Sequence, residues 1–316
     1  KIKDITTSDI QALLNQASSS MSLQHKVRIT LNQIFEKAIA DRLIAYNPII
    51  GTDPVETPDP IRQFYTPEQL RILISHFQGR KIFPLIFTIL NTGMRATEAL
   101  ALMRNRDLDL DNNRIFIRES TEFVKARPQK KPTKTTRGVR TIPVPPAFSD
   151  WLREHLKTVK SLYVFPGHDG RQMGQTTLDN WRNKANRRIE RWFAEAEAVQ
   201  KKAADGGCLS REEEALLGRI QPFGDIREHR FRLHYKTLRH TYCTELFDLG
   251  VDELSAAKIM GHTVTIMREI YTHIQKNRQR KTIEKIEGLY ADVEGLHGNV
   301  VDISTLKQPK KVNKGL

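Results

Sequence analysis

A run of prolines and acidic residues between positions 51 and 60 limits what this chain can fold into. The run holds three prolines and two aspartates, Asp53, Pro54, Pro58, Asp59 and Pro60. Proline fixes φ and removes a backbone donor, so neither a helix nor an inner strand can continue through this segment. We therefore predict an interdomain linker at 51–63, with one domain on each side of it.

The segment before the linker has the spacing of helices. Val27, Leu31, Phe35 and Ala38 recur every three or four residues, and Asn47-Pro48 ends the pattern. A segment this short buries little core on its own. We therefore predict that residues 1–50 are the last part of a helical domain whose first helices precede Lys1.

After the linker the pattern is helical, changes to strands after Leu100, and then returns to helices. Arg114–Ile117 and Val139–Val144 read as short strands that pair nearby, with a basic loop at 124–136 between them. Residues 199–230 hold Gly206-Gly207 and a charged helix, which indicates a surface insertion outside the core. The predicted fold class is mainly α with a small antiparallel β-sheet (α+β).

Charge gives the first indication of a partner. The 316 residues carry a net charge of +14, with a pI near 9.8. An excess of lysine and arginine favours a polyanion, through phosphate contacts and counterion release. No run of 18 apolar residues predicts a membrane span. Two cysteines without a CxxC spacing fit a reducing cytoplasm, and no metal-ligand pattern occurs.

The stretch Thr92–Glu98 contains a candidate phosphate-binding arginine. Gly93 lets the backbone turn, and Arg95 then follows near the start of a helix. A guanidinium there can bind a phosphate with two parallel hydrogen bonds. Glu98, one turn later, can orient Arg95. By itself such a pair is more often an ordinary surface ion pair.

A second group of candidates lies between residues 236 and 271. Lys236 and Arg239 are three residues apart on one helical face, and His262 follows Gly261. Tyr271 follows His262 by nine residues. A phenol, with an ordinary pKa of about 10, attacks phosphorus only among dense positive charge. The arrangement indicates a tyrosine that bonds covalently to a DNA phosphate.

In this order, the motifs resemble the tyrosine recombinase (phage integrase) family. The resemblance covers Phe64 to Ile274 and is carried by Thr92–Glu98, Leu238–Thr241, Met260–His262 and Tyr271–His273. It implies a helical core-type DNA-binding domain at 1–50 and a catalytic domain at 64–274. Among family members, integrases of conjugative transposons or prophages are the expected type.

The resemblance also implies a role for each candidate residue. Arg95 and Arg239 would bind the scissile phosphate, His262 would hydrogen-bond it, and Tyr271 would form a 3′-phosphotyrosine. A lysine before the second strand would protonate the leaving 5′-oxygen. Lys134 is the expected residue, and the rivals in the same basic loop are Lys125, Lys130 and Lys131.

One position departs from the family pattern. The family has a histidine three residues before the second arginine, where this chain has Lys236. Lysine can donate to a phosphate oxygen, but it is a poor base unless its pKa falls far below about 10.4. His234 and His240 lie nearby, although helical spacing turns His240 away from Arg239.

The resemblance further implies the partners. They are double-stranded DNA at attachment or inverted-repeat sites and further copies of the chain, as a dimer or tetramer on DNA, with no cofactor or metal. Residues 275–316 are expected to form a helix and basic tail that dock on a neighbouring protomer. The expected location is the cytoplasm, at the nucleoid. Two alternatives are a type IB topoisomerase-like enzyme and a catalytically impaired DNA-binding relative.

Overall fold

The chain forms two compact units. The computed structural model describes residues 1–17, 21–53, 63–132, 138–272 and 274–275. One unit comprises Lys1–Arg62 and the other Gln63–Leu316. The boundary falls inside the range predicted as a linker, and the DNA-binding role of the first unit remains a prediction.

The first unit is a small helical body. After a 3-10 turn at Ile2–Asp4 come helices α1 (Thr7–Gln16) and α2 (Met21–Ala40). Thr6 and Asp9 cap α1 reciprocally, each side chain accepting the other residue's backbone N–H. The core is formed by apolar side chains of both helices and the segment after them, Ile10, Leu14, Phe35 and Ile49.

The second unit is mainly helical with short strands. Its helices are α3 Pro67–Phe77, α4 Phe83–Thr92, α5 Ala96–Ala99, α6 Pro146–Thr158, α7 Gln175–Ala204, α8 Arg211–Ile220, α9 Tyr235–Asp248 and α10 Glu253–Met260. Its strands are β1 Leu108–Asp109, β2 Arg114–Ile117, β3 Glu119–Val124, β4 Arg127–Pro132 and β5 Arg140–Pro143. Residues 264–272 are also helical. The predicted fold class is confirmed. Within the described ranges, no helix is long and apolar enough to cross a bilayer.

The strands form two antiparallel sheets. The three-stranded sheet has the order β1-β2-β5, and Ile115 pairs with Ile142 at its centre. A separate hairpin, β3-β4, occupies part of the segment predicted to be a loop. Pro128 and Pro132 argue against a strand, but both strands of a two-stranded sheet are edges, where proline is tolerated. The turn has φ of 49° at Lys125 and 63° at Ala126 without using glycine.

The core of the second unit extends through residues 199–230. Val199, Leu216, Ile220 and Ile226 are buried in the same cluster as Phe193. The expectation of a surface insertion outside the core is therefore wrong. Helix α8 begins at a capping box and is amphipathic, and it buries its apolar face against the end of the long helix α7.

Candidate functional site

The site begins where α4 ends. Gly93 caps α4 in the left-handed conformation, with φ 61° and ψ 11°. A Cβ on Gly93 would lie 2.3 Å from Cδ1 of Tyr242 and 2.7 Å from Sδ of Met260. Only glycine fits both the conformation and the space. The turn brings the Gly93 carbonyl to α9, where it accepts a hydrogen bond of 2.6 Å from Nη1 of Arg239.

The carboxylate of Glu98, which is 3% exposed, lies among three arginines. Arg95 donates to it from its backbone N–H at 2.9 Å and from Nη1 at 2.7 Å. Arg140 donates from Nη2 at 2.8 Å and from Nη1 at 3.2 Å. Nη1 of Arg239 lies 3.9 Å from Oε2 of Glu98. One buried carboxylate thus gathers three guanidinium groups.

The ionised form of Glu98 is stabilised by these arginines. Burial acts to raise the pKa of the carboxyl, but the hydrogen bonds and charge of Arg140, and then the charge of Arg239, outweigh it and lower the pKa to about 2. Three cations against one anion leave an excess of positive charge. Such an excess suits an anionic ligand such as a phosphate.

Arg239 is a nearly buried cation at the centre of the cluster. Its side chain is 8% exposed, and its Nη2 donates to the carbonyl of Met260 at 2.5 Å. Burial, and then the charge of Arg95, lower the pKa of Arg239. The group keeps its charge at neutral pH because guanidinium is so weakly acidic. Among the described residues, Nε–H and one N–H of Nη1 have no protein acceptor, and both can serve a ligand.

His262 adds a neutral donor. Its Nε2 lies 2.7 Å from Nη2 of Arg239. Because guanidinium only donates, Nε2 accepts, and the ring proton must be on Nδ1. Burial, and then the charges of Arg239 and Arg95, lower the pKa of His262 to about 3. Nδ1 is buried without a hydrogen-bond partner in the described part of the chain, so its N–H lacks the acceptor that a buried donor usually has.

The hydroxyl of Tyr271 is hydrogen-bonded to a residue outside this cluster. Its hydroxyl donates to the carbonyl of Val251 at 3.0 Å, and its ring packs edge-on against Phe247 at 4.7 Å. Burial, and then Cys243, Asp252 and Glu253, raise the pKa of the phenol to about 12. In this structure Tyr271 is therefore a neutral phenol whose hydroxyl is hydrogen-bonded to a main-chain carbonyl.

The lysines that the sequence suggests for the site differ in exposure and in the groups they contact. Lys236 lies in the first turn of α9, exposed, and forms no hydrogen bond or ion pair with the described residues. Lys131 binds Glu122 at 2.6 Å. Nζ of Lys130 lies 3.0 Å from Sδ of Met103.

Two other lysines remain from the predicted set. Lys125 is exposed at the β3-β4 turn. Lys134 falls at 133–137, outside the described residues.

Arg140 near the site goes beyond the sequence-based prediction, and His240 takes a part there that the sequence did not indicate. Strand alternation gives a signal for Arg140: it shares a face with the buried Ile142, and a charge on an inward face must be paired. The charge of His240, which the sequence places nearby but turned away from Arg239, contributes less than the three arginines do to the lowered pKa of His262.

Comparison with known proteins agrees with the motifs and the geometry. Residues 64–200 match the phage integrase family. A tyrosine recombinase XerC-like protein of Caldanaerobacter subterraneus subsp. tengcongensis is 21% identical over 310 residues, covering 92% of this chain and 73% of the relative. The tyrosine recombinase XerC of Oceanobacillus iheyensis is 24% identical, covering 90% of this chain and 81% of the relative.

Solved structures share the fold at low identity. The Tn1549 transposon integrase in complex with a circular intermediate DNA has a TM-score of 0.65 at 18% identity, covering 88% of this chain and 86% of that one. A lambda integrase dimer bound to a COC′ core site has a TM-score of 0.52 at 12% identity, covering 85% and 80%. Motifs, fold and comparisons together show that this chain contains a phage integrase (tyrosine recombinase) domain.

Proposed function

We propose that this tyrosine recombinase is the integrase of a mobile element. It cuts and rejoins double-stranded DNA at specific sites through a 3′-phosphotyrosine, and so integrates or excises the element. The fold shared with the Tn1549 transposon integrase, which was solved with a circular intermediate DNA, supports the mobile-element assignment. No cofactor enters the proposal, because transesterification conserves the energy of the phosphodiester in the phosphotyrosyl bond.

The observation that carries the proposal is the cluster of Arg95, Arg239 and His262 around Glu98. Arg95 is 45% exposed, so its guanidinium can reach a phosphate while Glu98 holds it. Arg239 keeps free N–H groups and His262 keeps a free Nδ1–H, as described above. Donors fixed before the substrate arrives stabilise charge that develops on the non-bridging oxygens.

The reaction is a displacement at phosphorus. The Tyr271 oxygen forms a bond to phosphorus, the bond from phosphorus to the 5′-oxygen breaks, and Lys134 supplies the proton that this oxygen takes. The proton that the Tyr271 hydroxyl loses passes to Lys236 in its neutral form, and the ammonium that results then donates to the phosphate. Before attack, the Tyr271 hydroxyl must leave the Val251 carbonyl.

Assembly completes the proposal. Two DNA sites need four cleavages, so the chain acts as a dimer on each site and a tetramer on both. Residues 275–316, which beyond position 275 lie outside the described residues, dock on a neighbouring protomer. We also propose that the enzyme works in the cytoplasm, on nucleoid DNA.

The test is a trapping experiment that needs no known target. The chain is incubated with a library of nicked duplexes of random sequence, in which cleavage releases a short strand and leaves the protein bound. Covalent adducts are separated under denaturing conditions and their DNA is sequenced. The wild type should form adducts enriched in one sequence, and Tyr271→Phe should form none, because phenylalanine has no nucleophile.

The matched control is Tyr46→Phe, which alters a tyrosine that is 67% exposed in the first unit. It should form adducts at the wild-type level. Adducts that persist in Tyr271→Phe would contradict the proposal. Adducts without sequence enrichment, together with relaxation of plasmids that lack the selected site, would instead indicate a topoisomerase.

A further inference from the structure

We propose that Arg140 is a positioning residue for DNA cleavage. Arg140 fixes Glu98, and the arginines bound to Glu98, relative to the loop that carries His262. This inference rests on the proposed function, since it assigns Arg140 a part in the same reaction. Arg140 acts through other side chains and not on the phosphate itself.

The hydrogen bonds of Arg140 join three elements. From β5, Nη1 and Nη2 reach the two oxygens of Glu98 on α5, at 3.2 and 2.8 Å. Nε donates to the carbonyl of Ile259 near the end of α10 at 2.8 Å. A guanidinium holds such a set because its donors form a rigid planar fork, which an ammonium lacks.

Arg140 also lies directly against the turn before His262. A Cβ on Gly261 would come within 3.0 Å of Nη1 and 3.1 Å of Cζ of Arg140. Gly261 ends α10 in the left-handed conformation, with φ 65°. The position of Arg140 therefore limits where this turn, and with it His262, can lie.

The burial of Arg140 separates its role from that of Arg95. The Arg140 side chain is 5% exposed, whereas that of Arg95 is 45% exposed. Arg140 donates to Glu98, Ile259 and the carbonyl of Gly138 at 3.3 Å. Four of its five N–H donors are thus bound to protein, and DNA would meet Arg95 instead.

The test compares Arg140→Met, which removes the charge, with Arg140→Lys, which keeps the charge but not the fork. The control is Arg153→Met. Arg153 also binds carboxylates and a carbonyl, donating to Asp150, Asp111 and Leu110 on helix α6 and the β1-β2 connection. Single-turnover cleavage of the selected DNA and the Kd for that DNA are measured separately.

We expect Arg140→Met to cleave about 10²-fold more slowly, because small misplacements of catalytic groups have effects of that size. Its Kd should stay within about threefold, since Arg140 adds no phosphate contact. Arg140→Lys should be about tenfold slower, and Arg153→Met close to the wild type. Equal losses of rate and affinity in Arg140→Met, or a wild-type rate in Arg140→Lys, would overturn the proposal. If Arg140→Met does not fold, Arg140→Lys decides.

The pH dependence distinguishes positioning from a general loss of stability. Without Arg140, burial raises the pKa of Glu98 against the remaining charge of Arg239 and the backbone hydrogen bond from Arg95. A carboxylate with a raised pKa takes up its proton, and so loses its negative charge, at a higher pH as the solution is acidified. Cleavage by Arg140→Met should therefore decline towards acid pH at a higher pH than cleavage by the wild type, and identical profiles would count against the role.

A separate measurement keeps this inference apart from the proposed function. The carboxyl carbon of Glu98 is titrated by NMR in the free, folded chain, for the wild type and Arg140→Lys. The midpoint should rise in the variant, and an unchanged midpoint would overturn the role of Arg140. If the wild type forms no DNA adduct, the proposed function fails while this result still reports on Arg140.

Discussion

Gly93 shapes the site through its backbone. Its left-handed conformation ends α4 and turns its carbonyl to Arg239, and the ring of Tyr242 occupies the space where a Cβ would be. The arginine that binds the phosphate in our proposal is thus positioned by the main chain of a residue with no side chain. Alanine at this position would disturb the capping turn and the Arg239 contact together.

Two glycine substitutions separate the conformational cost from the steric one. Gly79→Ala, at φ 77° with no atom within 4 Å of the new Cβ, should lower the free energy of unfolding by about 1–2 kcal/mol. Gly93→Ala should lower it by about 2–5 kcal/mol, because the clash with Tyr242 adds to the same strain. Urea denaturation of both variants measures the difference, and equal losses would show that the space around Gly93 adjusts freely.

The sequence predicts the helical part of the site better than the rest. Arg95 is the N-cap of α5 and Glu98 is three residues later, so this local capping arrangement brings them together without a tertiary contact. The inward direction of the Arg140 side chain can be predicted only when the register of its strand is known. The spacing from His262 to Tyr271 predicts a nucleophile but not the direction of its hydroxyl, because that depends on how the helix at 264–272 packs.

The β3-β4 hairpin shows how an element can form against local preference. A two-stranded hairpin is marginal alone, and here neighbours support it: Gln172 donates to Thr121 at 2.8 Å, and the backbone of Gln175 donates to Ala126 at 3.3 Å. Lys125 and Ala126 both have positive φ, which asparagine and glycine adopt more easily. Tertiary contacts thus offset a poor turn, and the sequence pattern alone predicts a loop.

Replacing Lys125-Ala126 by Asn-Gly should therefore stabilise the chain. The expected gain is about 0.5–2 kcal/mol in the free energy of unfolding, because the new residues suit a turn with positive φ. Chemical denaturation measures it. Asn113→Ala is the opposing control, since Asn113 already occupies φ 56°, and it should destabilise by about 1 kcal/mol. A less stable Asn-Gly variant would show that the side chain of Lys125 supports the hairpin.

At the scale of the whole molecule, charge sets the approach to DNA. The chain has 51 lysines and arginines against 37 aspartates and glutamates. The carboxylate at the centre of the site, Glu98, removes little of that excess because three guanidinium groups surround it. Long-range attraction to the phosphate backbone is therefore independent of the target sequence and sensitive to salt.

We expect the affinity for an arbitrary duplex of about 30 base pairs to fall by about 10³-fold or more between 50 and 200 mM salt. Each phosphate contact releases counterions, which a higher salt concentration opposes. Fluorescence anisotropy over a salt series gives the slope of log K against log salt. The unfolding temperature at the same salts is the control, and a flat slope with unchanged stability would contradict an electrostatic mode of binding.

In our proposal Tyr271 is the nucleophile, so its hydrogen bond to Val251 bears on which DNA is cut. A protein held to DNA by charge meets a vast excess of phosphodiesters that are not its target. Because the phenol is neutral and bound to a main-chain carbonyl, we expect these encounters to leave no strand break. In this proposal, release of Tyr271 from the Val251 carbonyl decides where DNA is cut. We therefore expect a variant with looser packing around Tyr271 to cut more non-target DNA without binding DNA more tightly.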